Sequence, residues 1–516
     1  MYKRQLADQL PSSPVIVLAD DLNIGRLLVA ELQRRPGAPA HVVLETRRGP
    51  DARYRAWLAE RARGTRPELK AFAEARENVA GILTDLLVQW SGSGFVRYLN
   101  PSFGFFFENL RLRPNGILFT VEPAPSEYTA PAPGTATLEA ALAAWEGQSS
   151  RWDTVVRMRE SGARDARELA EFWSRAGNSL GVALQRGGRL EEAGRVFGQS
   201  KRLNPDNQLA DLNGKVNVAL RAGQVPSTNL IASLSRSPLV PTLNAHGPVD
   251  EPVALLNYGR ALLNAADRLP RQAWEALHRS AELTPDNLGA QMGEVEALLQ
   301  GGQVDAARRL LDDVKSRRPA TTLSREDVAS LTRLEIFYAL ARQDLATAEK
   351  LIEGARGQFA SDTSLLDLLS ALYFRQGRLD EAVPLLEQWR KLRMDDPAAT
   401  IRLTTILMSR NQFDQALRML DQFLAQKADN QPARINRAIC LLRLGRLEDS
   451  RREYQSLVDK LPGVPLLHYG LGEIAVRQKD TNQALVHFDE YLKVAPTNTT
   501  EYAEVSKRVQ EWRGGR

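Results

Sequence analysis

The chain has 516 residues, and its 68 lysines and arginines against 63 aspartates and glutamates give a net charge of +5. One ordinary hydrophobic core does not grow to this length, so a small domain joined to a longer array is favoured. The charges are interspersed, without a basic run or interleaved aromatic residues, which argues against a nucleic-acid partner. The five histidines are scattered and the single cysteine, Cys440, lies between apolar neighbours. We therefore expect no metal site, no cofactor and a buried, inert thiol.

Strand and helix patterns alternate over residues 1–122. Runs rich in Val, Ile and Leu predict strands at Pro14–Asp20, His41–Thr46, Val96–Leu99 and Ile117–Val121. Helical patterns between them predict helices at Ile24–Arg34, Arg53–Arg63 and Pro67–Trp90. This alternation predicts a small α/β domain with a largely parallel sheet.

An acidic pair, Asp20 and Asp21, ends the first predicted strand. The carboxyl ends of strands are where α/β folds place ligands, so one interpretation is a sugar-nucleotide or metal site. The other interpretation is that an aspartate caps the following helix. We favour the cap, because the next residues offer one glycine, Gly25, and no phosphate-binding loop.

The segment from Tyr98 to Glu108 contains four phenylalanines around an embedded Pro-Ser and Gly, and Arg111, Arg113, Pro114 and Gly116 follow. Together with the strand that ends in Asp20, this part of the chain, about Pro14 to Pro123, resembles the soluble tail of bacterial membrane proteins that are similar to protein O-mannosyltransferases. Many members of that family carry helical repeats. Their catalytic residues lie in the membrane part, so the resemblance assigns none here. For the phenylalanine side chains we favour a role in the domain's own core or against the first repeat helix.

The resemblance bears on how far the protein extends. No stretch reaches the roughly 18 apolar residues that a membrane-spanning helix needs. The first residues, Met1–Gln5, look like the start of an assembled metagenomic fragment. On this interpretation the protein is bacterial and a membrane domain lies upstream. A cytoplasmic adaptor and an extracytoplasmic domain both stay open.

A proline-rich linker (123–136) and connecting helices (137–172) are predicted next. Beyond them, small residues recur every 34 positions, at Ala348, Ala382, Ala416, Ser450 and Ala484. Four residues after each comes a large apolar one, namely Ile352, Leu386, Leu420, Tyr454 and Phe488. Positions i and i+4 share one face of a helix, and a small residue there lets a second helix come close. The pattern predicts stacked pairs of helices.

The ends of the first helices are marked by residues that tolerate a left-handed backbone. Gly377, Asn411 and Gly445 stand a few residues before the small positions, where such a residue ends a helix at least cost. Lys479 stands at this place in the last unit and departs from the pattern.

The stretch from Gly177 to Pro205 resembles the consensus of the tetratricopeptide repeat, whose unit has the same length of 34 residues. The resemblance covers about Glu168 to Arg516 and implies a mainly α-helical protein, with a right-handed solenoid of about eight units over 173–499. An irregular proline-rich insertion is predicted at 225–252, beside a degenerate unit whose first helix is Gln208–Arg221. Residues 500–516 are expected to form a capping helix and tail.

In such a stack the first helices line a concave groove. The groove positions in this register are Asn178, Arg186, Phe374, Arg375, Ile439, Arg443, Tyr469 and Arg477. Four of them are arginines at the same position of their units. They could form a ladder of guanidinium groups for carboxylates of an acidic peptide or chain terminus. The alternative, which we favour, is that each arginine interacts with the dipole at the C-terminus of its helix.

The sequence predicts a non-catalytic scaffold that uses this groove to bind a peptide or partner protein. The alternative is the soluble C-terminal part of a truncated membrane glycosyltransferase-like protein, in which the repeats recruit the acceptor. A free-standing enzyme is disfavoured, because no nucleophile–base pairing, metal-ligand spacing or phosphate loop is found.

Overall fold

The computed structural model describes residues 7–37, 39–75, 78–99, 101, 105–115, 118–130, 134–226, 239–265, 268–358, 363–393, 396–497 and 499–514. Side chains at 105–106, 164–165, 320 and 356–358 lie outside this description. The first residues, Met1–Gln5, also lie outside it. The chain divides into two compact units, Met1–Arg342 and Gln343–Arg516.

A mixed sheet forms the N-terminal part of the first unit. Its described strands are β1 (Ile16–Ala19), β2 (Val42–Glu45), β3 (Val96–Leu99), β4 (Leu110–Asn115) and β5 (Leu118–Pro123), in the order β2-β1-β3-β5-β4. β1 pairs in parallel with β2 and β3, whereas β5 is antiparallel to β3 and β4. The small α/β domain is confirmed, but the prediction that its sheet is largely parallel was wrong.

The mixed character comes from β4, which the sequence analysis did not predict. Two residues separate β4 from β5, and so short a connection can join only antiparallel neighbours. β4 lies at the edge of the sheet, where Pro114 and two arginines are tolerated. These residues obscured its strand pattern.

The α-helices placed beside the sheet in the described ranges are α1 (Leu22–Gln33), α2 (Ala52–Ala62), α3 (Leu69–Glu74) and α4 (Val79–Gly92). The single helix predicted at Pro67–Trp90 is therefore two helices. The carboxylate of Asp21 accepts hydrogen bonds from the backbone N–H groups of Asn23 and Ile24, at 2.8 and 3.1 Å. This confirms that Asp21 caps α1.

The rest of the first unit is helical. Its helices are α5 (Thr135–Glu146), α6 (Ser149–Glu160), α7 (Arg164–Arg186), α8 (Leu190–Leu203), α9 (Gln208–Arg221), α10 (Leu239–His246), α11 (Pro252–Leu263), α12 (Pro270–Leu283), α13 (Leu288–Gln300), α14 (Val304–Ser316) and α15 (Arg325–Ala341). The predicted helix Gln208–Arg221 is confirmed as α9. Of the predicted insertion, residues 227–238 lie outside the described part, and α10 shows that the remainder is not loop throughout.

The second unit is also helical. Its helices are α16 (Leu345–Gln358), α17 (Thr363–Arg375), α18 (Leu379–Leu392), α19 (Pro397–Ser409), α20 (Phe413–Leu424), α21 (Gln431–Arg443), α22 (Leu447–Val458), α23 (Pro465–Arg477), α24 (Thr481–Val494) and α25 (Thr500–Gly514). α25 is the expected capping helix, because its Val505 and Val509 are buried in the cluster that contains Phe488.

The period of 34 residues is confirmed in packing and in backbone. The small positions Ala348, Ala382, Ala416, Ser450 and Ala484 are all fully buried. Left-handed residues recur at the same interval, with φ between 59° and 77°, at Gln343, Gly377, Asn411, Gly445 and Lys479. Lys479 therefore departs from the pattern in residue type but not in conformation. For a residue with a Cβ atom this conformation costs roughly 1–2 kcal/mol.

Candidate functional site

The second unit consists of helix pairs. The first helix of each pair lies on one side of the stack and the second helix lies on the other. The first helices of successive pairs contact one another, α19 with α21 and α21 with α23, whereas successive second helices touch far less among the described residues. Closer approach on one side is the geometry of the inner face of a curved stack. We call α17, α19, α21 and α23 the inner helices, and α18, α20, α22 and α24 the outer helices.

The inner helices carry the groove positions that the register predicted for this unit. Phe374 is 42% exposed, Ile439 and Tyr469 are half-buried, and Arg375, Arg443 and Arg477 are exposed. Tyr469 packs partly against the outer helix α24, with its ring 5.8 Å from that of Tyr491. These side chains are therefore accessible to different degrees.

Further half-exposed apolar side chains lie on the inner helices. They are Leu368, Ile401, Met408, Ile435 and Val476. The repeat register could have found four of them, because Ile401 and Ile435 lie 68 and 34 residues before Tyr469, and Met408 and Val476 lie 34 and 102 residues after Phe374. Leu368 shares a register position with none of the named residues. Together with Phe374, Ile439 and Tyr469 they form what we call the apolar strip.

Charge is distributed unequally between inner and outer helices. The four inner helices contain six arginines and two acidic residues, Asp367 and Glu473. The four outer helices contain ten acidic and six basic residues. The helices that carry the apolar strip are thus the more basic ones.

The four arginines at equivalent positions are each the last residue of a helix, namely Arg186, Arg375, Arg443 and Arg477. Arg477 donates to the carbonyl oxygen of Leu442 at 2.7 Å, near the end of the preceding inner helix. Arg477 thus binds the C-terminal turn of a neighbouring helix. Arg375 and Arg443 form no hydrogen bond or ion pair with another described residue.

In the first unit the corresponding surface is covered by the chain itself. Asn178 is fully buried, and its amide donates to the carbonyl oxygens of His246 and Pro248, both at 2.9 Å. Asn213 donates to the same Pro248 carbonyl at 3.0 Å and accepts from the backbone N–H of Asp250 at 2.8 Å. The segment after α10 therefore packs against Asn178 and Asn213 in the groove. Asn178, a predicted groove position, is thus covered by residues of the chain itself.

Asp250 fixes the end of that segment. Its carboxylate accepts from Arg186 and Arg279 at 2.9 and 2.8 Å, and from Gln185 at 2.9 Å. Burial opposes its ionisation, but the two guanidinium groups lower the pKa of Asp250 to about 2. Arg186, a predicted groove residue, is thus paired within the molecule.

Glu108, at the end of the phenylalanine-rich segment, connects the part of the chain that holds the sheet to the repeats. Glu108 accepts hydrogen bonds from the backbone N–H groups of Arg271 and Gln272, both at 3.0 Å, at the start of α12. A carboxylate there accepts hydrogen bonds from free N–H groups of the helix and interacts favourably with the positive end of the helix dipole. Phe107 packs near Tyr98 in the core under the sheet, with the rings 6.3 Å apart. Phe103 and the side chains of Phe105 and Phe106 lie outside the described residues.

At the carboxyl end of β1, where the sequence allowed a ligand site, Asp20 is surrounded by protein side chains. Asp20 is buried, and its carboxylate accepts from the hydroxyl of Tyr98 at 2.8 Å and from that of Thr46. Burial raises the pKa of Tyr98 well above its ordinary value, and the charge of Asp20 adds to this shift. Tyr98 therefore stays a neutral hydrogen-bond donor to Asp20, as in a buried structural network.

Cys440 is fully buried, and burial raises the pKa of its thiol to about 11. The expectation of an inert thiol is confirmed. In the part of the chain that the structure describes, no three metal-ligating side chains come together. No described helix is both long and apolar enough to span a bilayer.

Comparison with known proteins identifies a repeat in two segments of the helical part. Two models of the tetratricopeptide repeat match residues 338–397 and 407–468. No curated protein matches the chain.

Several solved structures are similar in part. A fragment of MamA from Desulfovibrio magneticus is 23% identical and covers 32% of this chain and 94% of its own, with a TM-score of 0.30. A tetratricopeptide repeat protein from Parabacteroides merdae is 12% identical and covers 50% and 98%, with a TM-score of 0.35. YrrB, described as a tetratricopeptide repeat protein with an unusual peptide-binding site, is 15% identical and covers 46% and 99%, with a TM-score of 0.27.

The family models, the 34-residue recurrence of buried small residues and the paired helices agree with one another. Repeats of this kind generally serve protein–protein interaction and not catalysis. Residues 338–397 and 407–468 are thus identified as tetratricopeptide repeats.

Proposed function

We propose that this protein is a non-catalytic scaffold that binds a segment of a partner protein along the inner helices of its second unit. The observation that carries the proposal is that the apolar strip and the basic charge lie on the same helices, while the outer helices are acidic. The inner face of the first unit is not available in the same way, because residues 246–250 of the chain cover it around Asn178.

The chemistry of the inner face defines the segment that would fit. Half-exposed side chains such as Ile401, Ile435 and Ile439 gain from burial against apolar side chains of a partner. Arg375 and Arg443 offer guanidinium groups that can take carboxylates in a bidentate manner. A segment with both apolar and acidic residues satisfies both features, and the acidic outer helices would repel it. The expected partner segment is therefore acidic and partly apolar.

The test uses the full-length protein and two fluorescent peptides of equal length. One peptide alternates leucine with aspartate and the other alternates leucine with lysine. Fluorescence anisotropy should show saturable binding of the aspartate peptide and not of the lysine peptide. Higher salt should weaken the binding, because exposed charges are screened.

Two double variants localise the binding. Arg375→Glu with Arg443→Glu reverses charge on the inner helices and should weaken binding of the aspartate peptide by about tenfold or more. Arg418→Glu with Arg452→Glu makes the same change on outer helices and should leave it within about twofold. Equal losses in both double variants, or no binding to the unmodified protein, would contradict the proposal.

No described feature favours the alternative of a membrane glycosyltransferase tail, which stays a prediction.

A further inference from the structure

The first unit contains a cavity of about 460 Å³ between the sheet and the repeat helices, which we call the junction cavity. Its walls come from β4 and β5, from α7, α11 and α12, and from the segment that covers Asn178. Small-molecule sites usually have volumes of roughly 300–1,000 Å³. The junction cavity therefore has room for a small ligand.

Guanidinium groups dominate the charge of this cavity. Five arginines line it, namely Arg111 and Arg113 from β4, Arg175 and Arg186 from α7, and Arg279 from α12. The acidic side chains among the described lining residues are Glu275 and Glu282. Burial raises the pKa of Glu275, although Arg186 and Arg111 favour its charged form. Arginines therefore outnumber acidic side chains in the lining, although Glu122 and Asp250 behind the wall pair with three of them.

Most of these arginines are held in place by groups behind the wall. Arg113 pairs with Glu122 at 2.7 Å, and Arg186 and Arg279 share Asp250. Each guanidinium group has five N–H donors, and these contacts use only some of them. The remaining donors are pre-oriented without a conformational cost at the moment of binding.

Arg111 differs from the others. It forms no ion pair with a described residue, and its hydrogen bond to the hydroxyl of Thr129 is long, at 3.5 Å. Burial lowers the pKa of Arg111, and the opposing charge of Glu275 offsets this shift only in part. A bound anion would supply the remaining compensation.

The remainder of the lining is largely apolar and includes Leu110, Leu243, Val249 and Tyr258. We propose that the junction cavity binds a small molecule in which a carboxylate or phosphate group is joined to an apolar body. The charged group lies against Arg111 and its neighbours, and the body lies against these apolar side chains. This site is independent of the groove proposed for the second unit.

The test is calorimetric titration of the full-length protein with hydrocinnamate, phenyl phosphate and benzyl alcohol. At least one of the two anions should bind with one-to-one stoichiometry, and which of them binds more tightly identifies the acid. The neutral alcohol should bind at least about tenfold more weakly, because it brings no negative charge to the arginines. Failure of both anions to bind, or equal binding of the alcohol, would overturn the proposal.

Three single variants place the binding in the cavity. Arg111→Gln should lower the affinity for the more tightly bound anion by about tenfold. Ala130→Trp should weaken it as well by occupying space at the lining, without any change in charge. Arg97→Gln, on β3 and away from the lining, is the control and should change the affinity less than about twofold. Melting temperatures would establish that each variant is folded, and unchanged affinity in both Arg111→Gln and Ala130→Trp would refute the site.

Discussion

At the scale of single residues, Asp250 organises the groove of the first unit. It is fully buried and joins Gln185 and Arg186, on α7, to Arg279, on α12. These partners lie 65, 64 and 29 residues away in the chain, so no local pattern could reveal them. A buried carboxylate between two arginines is costly to disturb, because removal of one partner leaves desolvated charge behind.

Asp250→Asn should lower the free energy of unfolding of the first unit by about 3–5 kcal/mol, because both arginines lose the buried carboxylate that they share and Arg279 keeps only Glu282. Urea denaturation followed by tryptophan fluorescence reports on this unit, which holds six of the eight tryptophans. Asp380→Asn is the control, since Asp380 is exposed and pairs with Arg410 at the surface. A midpoint for Asp250→Asn that matches the control would show that the pair does not stabilise the fold.

The same carboxylate makes stability depend on pH. Its folded pKa of about 2 lies below the ordinary value of 3.8. The ionised form therefore contributes its full stabilisation, about 2 kcal/mol, above pH 4, and this contribution is lost as the pH falls towards 2. Asp250→Asn should show a correspondingly smaller loss of stability over that interval.

At the scale of elements, each helix pair is built on close approach at a small residue. A Cβ atom added at Gly472 on α23 would lie 2.4 Å from the ring of Phe488 on α24, and one at Gly181 would lie equally close to Phe197. Real Cβ atoms do not come so near, so only glycine fits these crossings. Lys479 shows that the turn between paired helices is imposed by this packing, since the left-handed backbone persists without a favourable residue.

Ala416→Trp should destabilise the second unit by about 1–3 kcal/mol or more, because a large ring is forced into a filled contact between helices. Circular dichroism at increasing temperature measures the loss. Ala425→Trp, at the exposed end of α20, adds the same ring where there is space and should leave the melting temperature nearly unchanged. Equal melting temperatures for the two variants would mean that the repeat register is wrong.

At the scale of the whole molecule, the chain has two compact units with separate cores. The first contains a cluster from Leu209 to Leu334, besides the core of the sheet. The second contains clusters around Leu420, Tyr454 and Phe488. Separate cores allow the two units to differ in stability.

Calorimetric melting should resolve two transitions, one for each unit. Asp250→Asn should shift only the transition of the first unit, and Ala416→Trp only that of the second, because the substituted residues lie in different cores. A single transition that both substitutions shift would show that the units unfold cooperatively.

The sequence by itself determined the features that are local or periodic. The 34-residue recurrence predicted the helix pairs, the buried small residues and the capping helix, because a helix repeats its face at fixed intervals. Asp21 as a cap and Cys440 as an inert thiol also follow from immediate neighbours. The groove positions of the second unit follow from the register, whereas their exposure does not.

Only the tertiary structure decided the features that depend on distant contacts. β4 pairs at an edge where arginine and proline obscure a strand pattern. Asn178 is covered by residues 68 and 70 positions away, and Glu108 caps a helix 163 residues further along the chain. The arginines of the junction cavity come from one strand and two helices. No periodic signal links such residues, because their proximity results from how complete elements pack together.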